Sequence, residues 1–200
     1  MCRAMALKIE SFSGADARRY IPGLARLRIR VFRDFPYLYD GSEDYERTYL
    51  RTYTESPDSV IVIAFDGDEV VGASTALPLA HETANVVEPF RALGYDVASV
   101  FYFGESVLLK EYRGQGAGVA FFDRREAWAR KFGRFRFTAF CGVVRPADHP
   151  RRPNDYVPLD AFWTKRGYRP VPELQAVFHW RDLDDAEQTA KRMAFWIKEL

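Results

Sequence analysis

Two cysteines and three histidines in 200 residues leave little material for a disulfide framework or a metal centre. Cys2 stands at the N-terminus and Cys141 inside FTAFCGVV, a run that reads as a buried strand. The two are not expected to pair, Cys141 reads as an inert core thiol, and a reducing, cytoplasmic compartment is the default expectation. His81 and His149 fall in loops and His179 alternates within a strand, so no metal is expected. Charge of one sign is also lacking: 29 basic residues minus 28 acidic ones leave +1. Neither nucleic acid nor an anionic membrane surface is therefore an expected partner. No run approaches the roughly 18 consecutive apolar residues of a membrane span. MCRAMALKIE has no apolar stretch of the kind that marks a secretory signal. With neither internal repeat nor low-complexity linker, residues 1–200 are expected to form a single domain with a sizeable core.

Aromatic residues, by contrast, are plentiful at 16% of the chain. LKIESFS reads as a first strand, DARRYIPGLARLRIRVFRDF as a helical region, and SEDYERTYLRTY as a second helix with Ser42 as its cap. Two strands surround Asp66-Gly67, a hairpin signal. A short helix near 83–94 leads to the strand SVFYFGESVLL, and VAFFDRREAWARKF is an amphipathic helix. RFTAFCGVV is a strand, LDAFWTKRGYRPV a short helix ending at Gly167 and then a strand, and AVFHWRDL closes the sheet. In residues 181–200, Ala186, Ala190, Met193, Ile197 and Leu200 recur at 4-3-4-3 spacing, which predicts a C-terminal helical extension. Mixed elements around a central hairpin indicate an α+β fold with a mostly antiparallel sheet of about six or seven strands.

YRGQGAG, between a strand and a helix, carries the chemistry. A strand, a glycine turn and a helix present backbone N–H groups to an anion. A Walker loop requires Lys-Ser or Lys-Thr after its last glycine, but Val119 and Ala120 follow Gly118. A dinucleotide fingerprint needs glycines at 1, 3 and 6, whereas Gly114, Gly116 and Gly118 stand at 1, 3 and 5. What remains is Arg-x-x-Gly-x-Gly, met by Arg113, Gly116 and Gly118.

With the strand before it, the helix after it and AFWTKRGYRPV downstream, this motif resembles that of the GNAT superfamily of N-acetyltransferases. The resemblance implies the acyl-CoA N-acyltransferase fold, acetyl-CoA as cosubstrate, and direct attack by a primary amine in a ternary complex. It implies that Arg113, Gly114, Gln115, Gly116, Ala117, Gly118 and Val119 hold the diphosphate, and that Val107, Leu108 and Leu109 flank the pantetheine. Phe162 and Trp163 are expected along that arm, and Lys165 or Arg166 near the phosphates. Glu105 is the candidate base, beside Phe103 and Val107. The family commonly has a tyrosine acid where this chain has Trp163, so Tyr156, Tyr168 and Tyr102 are alternatives, with Tyr156 preferred. Phe35, Tyr37 and Tyr39, interleaved with carboxylates such as Glu46, are the candidate amine-binding residues. Arg145, Arg151 and Arg152 stand ready for a carboxylate or the coenzyme's 3′-phosphate. A homodimer is expected from the family and the terminal helix. A non-catalytic acyl-CoA-binding sensor or assembly module of the same fold is the alternative.

Overall fold

A computed structural model describes residues 7–200; Cys2 lies outside them. Its elements run β1 (Lys8–Ser13), α1 (Ile21–Phe32), α2 (Glu43–Glu55), β2 (Val60–Asp66), β3 (Glu69–Pro78) and α3 (Ala84–Ala92). Then follow β4 (Val100–Leu108), α4 (Ala117–Arg130), β5 (Phe137–Val143), α5 (Asp160–Lys165), β6 (Arg169–Trp180) and β7 (Thr189–Glu199). The seven strands form one sheet in the order β1-β2-β3-β4-β5-β7-β6. Every pairing is antiparallel except β4 with β5. None of the described helices is long and apolar enough to cross a membrane.

Local signals account for several of these boundaries. Pro22 sits in the first turn of α1, where its missing N–H costs nothing. The Ser42 hydroxyl accepts from Tyr45 N–H at 3.4 Å and so caps α2. Gly67 closes the β2–β3 hairpin at φ 59°, a left-handed conformation that glycine adopts without strain.

The predicted C-terminal helix is instead β7. Lys191, Met193, Phe195 and Ile197 are buried at alternate positions, while Trp196 fills the opposite face. Of the five residues at 4-3 spacing only Met193 and Ile197 are buried, Ala186 and Ala190 being exposed; placement between β5 and β6 decided the outcome. The two strands expected over RGYRPV and AVFHWRDL are one strand, β6, with an irregularity between Val171 and Gln175.

One irregularity sets up everything near the glycine turn. Along β3 and β4, Ala76 pairs with Phe103 but Ser74 pairs with Ser106, so β4 carries one extra residue at Gly104–Glu105. The bulge changes which way the strand's side chains face. Phe103 packs against Phe122 of α4, and Ser106 accepts from Arg125 of α4 at 2.9 Å. Tyr102 and Glu105 turn to the opposite face, toward Cys141 and toward α1 and α2. Glu105 therefore does not share the surroundings of Phe103, as strict alternation would have it.

Arg125 clamps this bulge from the α4 side. It is 1% exposed and donates to the carbonyls of Phe121 (3.1 Å), Thr75 (3.3 Å) and Glu105 (3.1 Å). Burial pushes its guanidinium down to about 10, so it stays charged at neutral pH.

A Cβ on Gly104 would lie 1.9 Å from the Tyr53 hydroxyl and 2.6 Å from Thr75 Oγ1. Gly104→Ala is expected to cost at least about 1–3 kcal/mol by overpacking. Urea unfolding should show a lower midpoint with an unchanged slope.

Candidate active site

After Val100–Tyr102 pair with Phe137–Ala139, β4 and β5 part company. Val107 and Leu108 remain bonded to β3 on one side, with no strand on the other among the described residues. The Leu109 N–H is spent on the Val71 carbonyl at 3.0 Å, so this residue offers no free donor. Beyond it the chain makes one turn and enters α4 through Gly114 at φ 77° and Gly116 at φ 86°. Both angles are left-handed, which is why glycine stands there.

No side chain caps α4. The first intrahelical donor in the turn is Ala120 N–H, to Gly116, which leaves the N–H groups of the first turn for an outside acceptor. Where Cβ atoms on Gly114 and Gly116 would lie there is open space, while one on Gly118 would touch Phe162 at 3.5 Å. A cleft of about 160 Å³ beside this turn is lined by Arg30, Lys110 and Arg113 together with Asp34 and Glu111, and Glu111 pairs with Arg30 at 3.2 Å. An uncapped helix start, open volume and basic flanks are what a diphosphate requires. The glycine turn and β4 edge thus fit acetyl-CoA. Ala117 is buried, whereas Arg113 and Gln115 are exposed, their side chains in long contacts to the Leu108 and Glu111 carbonyls. Phe162 packs beside the turn, against Phe122 at 5.7 Å. Trp163 lies farther along, its ring against Phe140 (5.1 Å) and Trp196 (5.2 Å).

On the α1/α2 face of the bulge, Glu105 is only 9% exposed. Its Oε1 is 2.7 Å from Arg28 Nη1, and its Oε2 accepts from the Tyr49 hydroxyl at 3.2 Å. Arg28 also bonds Glu46, a fully buried carboxylate. The Tyr49 hydroxyl meets that of Tyr53 at 2.9 Å, and the Tyr53 hydroxyl lies 3.0 Å from Glu82 Oε1. Below them the Tyr102 hydroxyl contacts Cys141 Sγ at 3.2 Å. Burial pushes the Cys141 thiol up to about 12, which keeps it protonated and inert at neutral pH.

The acid candidates divide sharply. Tyr168 is committed to Thr138 and Glu126 in the core. Tyr156 is half-buried, its ring 4.7 Å from Phe35 with the Arg152 guanidinium 4.8 Å above it. Burial, aided by Asp160 and opposed by Arg152, raises its phenol, so Tyr156 holds its proton.

Phe35, Tyr37 and Tyr39 come from the α1–α2 loop, next to this cluster. Tyr37 packs on Phe32 at 4.5 Å, and Tyr39 bridges to Asp182. Arg145 is a clasp rather than a free ligand for an anion. It donates to Asp182 at 2.7 and 2.9 Å and to the carbonyls of Pro36 and Tyr37, both at 2.7 Å. Arg151 likewise bonds Asp184 at 2.6 Å.

Sequence reasoning passed over Arg28, Tyr49, Tyr53 and Glu82. One signal was present: Arg28 follows Leu24 by four residues on the buried stripe of α1, and Glu46, Leu50 and Tyr53 form such a stripe on α2. A charge on an apolar stripe marks a buried partner.

The fold is found widely among solved structures. A ribosomal-protein-alanine N-acetyltransferase from Brucella melitensis is similar at a TM-score of 0.61 and 12% identity, over 97% of this chain and 100% of that one. An N-acetyltransferase from Staphylococcus aureus gives 0.61 at 10% identity, over 98% and 99%. An acetyltransferase from Streptococcus agalactiae gives 0.60 at 15%, over 98% and 99%. No curated protein sequence matches the chain. The model of the Acetyltransferase (GNAT) family matches residues 25–153, more than half of the sequence, and the chain belongs to that family.

Proposed function

We propose that the protein is an acetyl-CoA-dependent N-acetyltransferase acting on a primary amine. The observation that carries this reading is the uncapped start of α4 at the mouth of the split between β4 and β5. Acetyl-CoA, when bound, supplies a thioester carbonyl for the amine to attack. The amides of the first α4 turn hold its diphosphate, and Arg113 adds charge. The β4 edge at Val107 and Leu108 orients the arm, and much of the acceleration comes from that positioning.

Glu105 takes the proton from the acceptor ammonium. Its Arg28 partner keeps the carboxylate oriented, and with Glu46 the trio carries a net charge of −1 that favours a cation. Phe35, Tyr37 and Tyr39 give the acceptor an aromatic wall. Tyr156, held neutral, donates to the departing sulfur and takes back the second proton that the nitrogen gives up as the amide forms. The alternative is a non-catalytic acyl-CoA-binding module, supported by the packing of Trp163 between Phe140 and Trp196 in the place where the family commonly has a tyrosine.

Two measurements separate them. Acetyl-CoA at a hundredfold excess over its dissociation constant should stabilise the wild type by about 2.7 kcal/mol in thermal unfolding. Gly118→Glu puts a carboxylate in the first α4 turn at an unstrained position and should abolish that gain; an unchanged gain would move the coenzyme elsewhere. With a panel of primary amines, thiol release should depend on amine, and Glu105→Gln should lower kcat on the order of a hundredfold. Binding without amine-dependent thiol release would favour the non-catalytic module.

A further inference from the structure

Four oxygens from three segments stand in a row: Glu82 Oε1, the hydroxyls of Tyr53 and Tyr49, and Glu105 Oε2. The successive separations are 3.0, 2.9 and 3.2 Å. Each of these three links needs one proton between its oxygens. Two phenols carry two protons, and an ionised carboxylate carries none. With both glutamates ionised, one link would press lone pair against lone pair. The row is complete only when one carboxyl is protonated.

Charge leads to the same number. Arg28 sets one positive charge against Glu46 and Glu105, so an ionised Glu82 would bring the cluster to −2 in a largely buried place. Of the other groups around the row, Arg125 adds a positive charge, on the far face of the sheet. Tyr102 and Cys141, hydrogen-bonded to each other, are held neutral by burial. Arg125 bonds the Glu105 carbonyl from the far face, and His81 bonds Ser56. The Thr83 N–H donates to Glu82 Oε2 at 3.1 Å, leaving Oε1 for the row. Burial raises the Glu82 carboxyl against the hydrogen bonds from Thr83 and Tyr53, which suits it to hold the proton. Glu82 also keeps part of its surface exposed, unlike Tyr53.

We propose that Glu82, Tyr53, Tyr49 and Glu105 share one proton, and that this row carries the acceptor's proton from Glu105 to solvent. The shared proton stands on the geometry; its catalytic use rests on the acetyl-transfer reading above. At rest Glu82 donates to Tyr53, Tyr53 to Tyr49, and Tyr49 to ionised Glu105. As the ammonium N–H bond breaks, a Glu105 O–H bond forms. Glu82 then releases its own proton to water, and the two phenols rotate toward it. A shift of three protons, each by one oxygen, returns Glu105 to its ionised state and Glu82 to its protonated one. One proton enters from the amine and one leaves at Glu82. Tyr49 and Tyr53 act through Glu105 and are positioning residues.

Infrared spectroscopy tests the shared proton without any amine. The wild type at neutral pH should show a protonated-carboxyl stretch that disappears in Glu82→Gln and moves in Tyr53→Phe and Tyr49→Phe. No such band in the wild type, or one surviving both Glu82→Gln and Glu105→Gln, would overturn the proposal. With an amine that turns over, Tyr53→Phe should lower kcat on the order of tenfold. Its dissociation constant for acetyl-CoA should not change, while its pH profile of kcat/KM should shift. A profile superimposable on that of the wild type would refute the relay. A wild type that shows the band but acetylates no amine would instead sink the acetyl-transfer reading and the relay's use in it, leaving the shared proton in place.

Discussion

The site depends on a charged guanidinium buried between α4 and the sheet without a carboxylate hydrogen-bonded to it. Arg125 finds its acceptors in backbone carbonyls and the Ser106 hydroxyl, and two of the carbonyls, those of Thr75 and Glu105, lie across the β4 bulge. Its Cζ sits 4.2 Å from the Phe103 ring centroid and 5.0 Å from that of Phe122. A buried donor left unpaired costs about 1–3 kcal/mol, and more when charged. Flattening the bulge would remove acceptors from Arg125, so the guanidinium and the irregular strand stabilise each other. The bulge in turn directs Glu105 to the α1/α2 face, where Arg28 and Tyr49 wait for it.

How much of this was legible from the amino acids differs between the two faces of β4. The glycine turn was readable because its demands are local: left-handed backbone at Gly114 and Gly116, then a helix start. The Ser42 cap and the Asp66-Gly67 hairpin were readable for the same reason. The acceptor side was not. Arg28 and Arg125 look like surface residues in a sequence, since arginine is rarely buried. Only tertiary contacts from strands and helices distant in the chain reveal them as the partners of Glu105 and of the bulge. Alternation along β4 wrongly gave Phe103 as a neighbour of Glu105 because a single inserted residue reverses side-chain direction.

The C-terminal segment failed for a related reason. Ala, Glu, Gln, Lys and Met are good helix formers, and their spacing there admits a helix. Yet TAKRMAFWIKE must bury both of its sides, with Phe195 against Phe90 on one face and Trp196 against Trp163 on the other. A strand between two strands does that, whereas a surface helix buries one stripe. The β5–β7–β6 arrangement also brings Asp182, just past the end of β6, within reach of Arg145, and through Arg145 ties down the α1–α2 loop that carries Phe35, Tyr37 and Tyr39.

That clasp changes the electrostatic sense of the acceptor side. From sequence, the loop after β5 brings arginines to the site and would suit a carboxylate-bearing acceptor. Folded, Arg145 is neutralised by Asp182, Arg151 is paired with Asp184, and Arg152 covers the Tyr156 ring. On the α1/α2 face of the β4 bulge, the charge left unbalanced belongs to Glu46 and Glu105 against Arg28. On the proposed reading a cationic acceptor would reduce that imbalance on binding, and giving its proton to Glu105 would leave the total unchanged. The proton would then need an exit, because an acetylated product departs neutral and would otherwise leave Glu105 protonated. A row of two phenols ending at a partly exposed carboxyl would provide that exit without opening the glycine-turn side of the sheet to water.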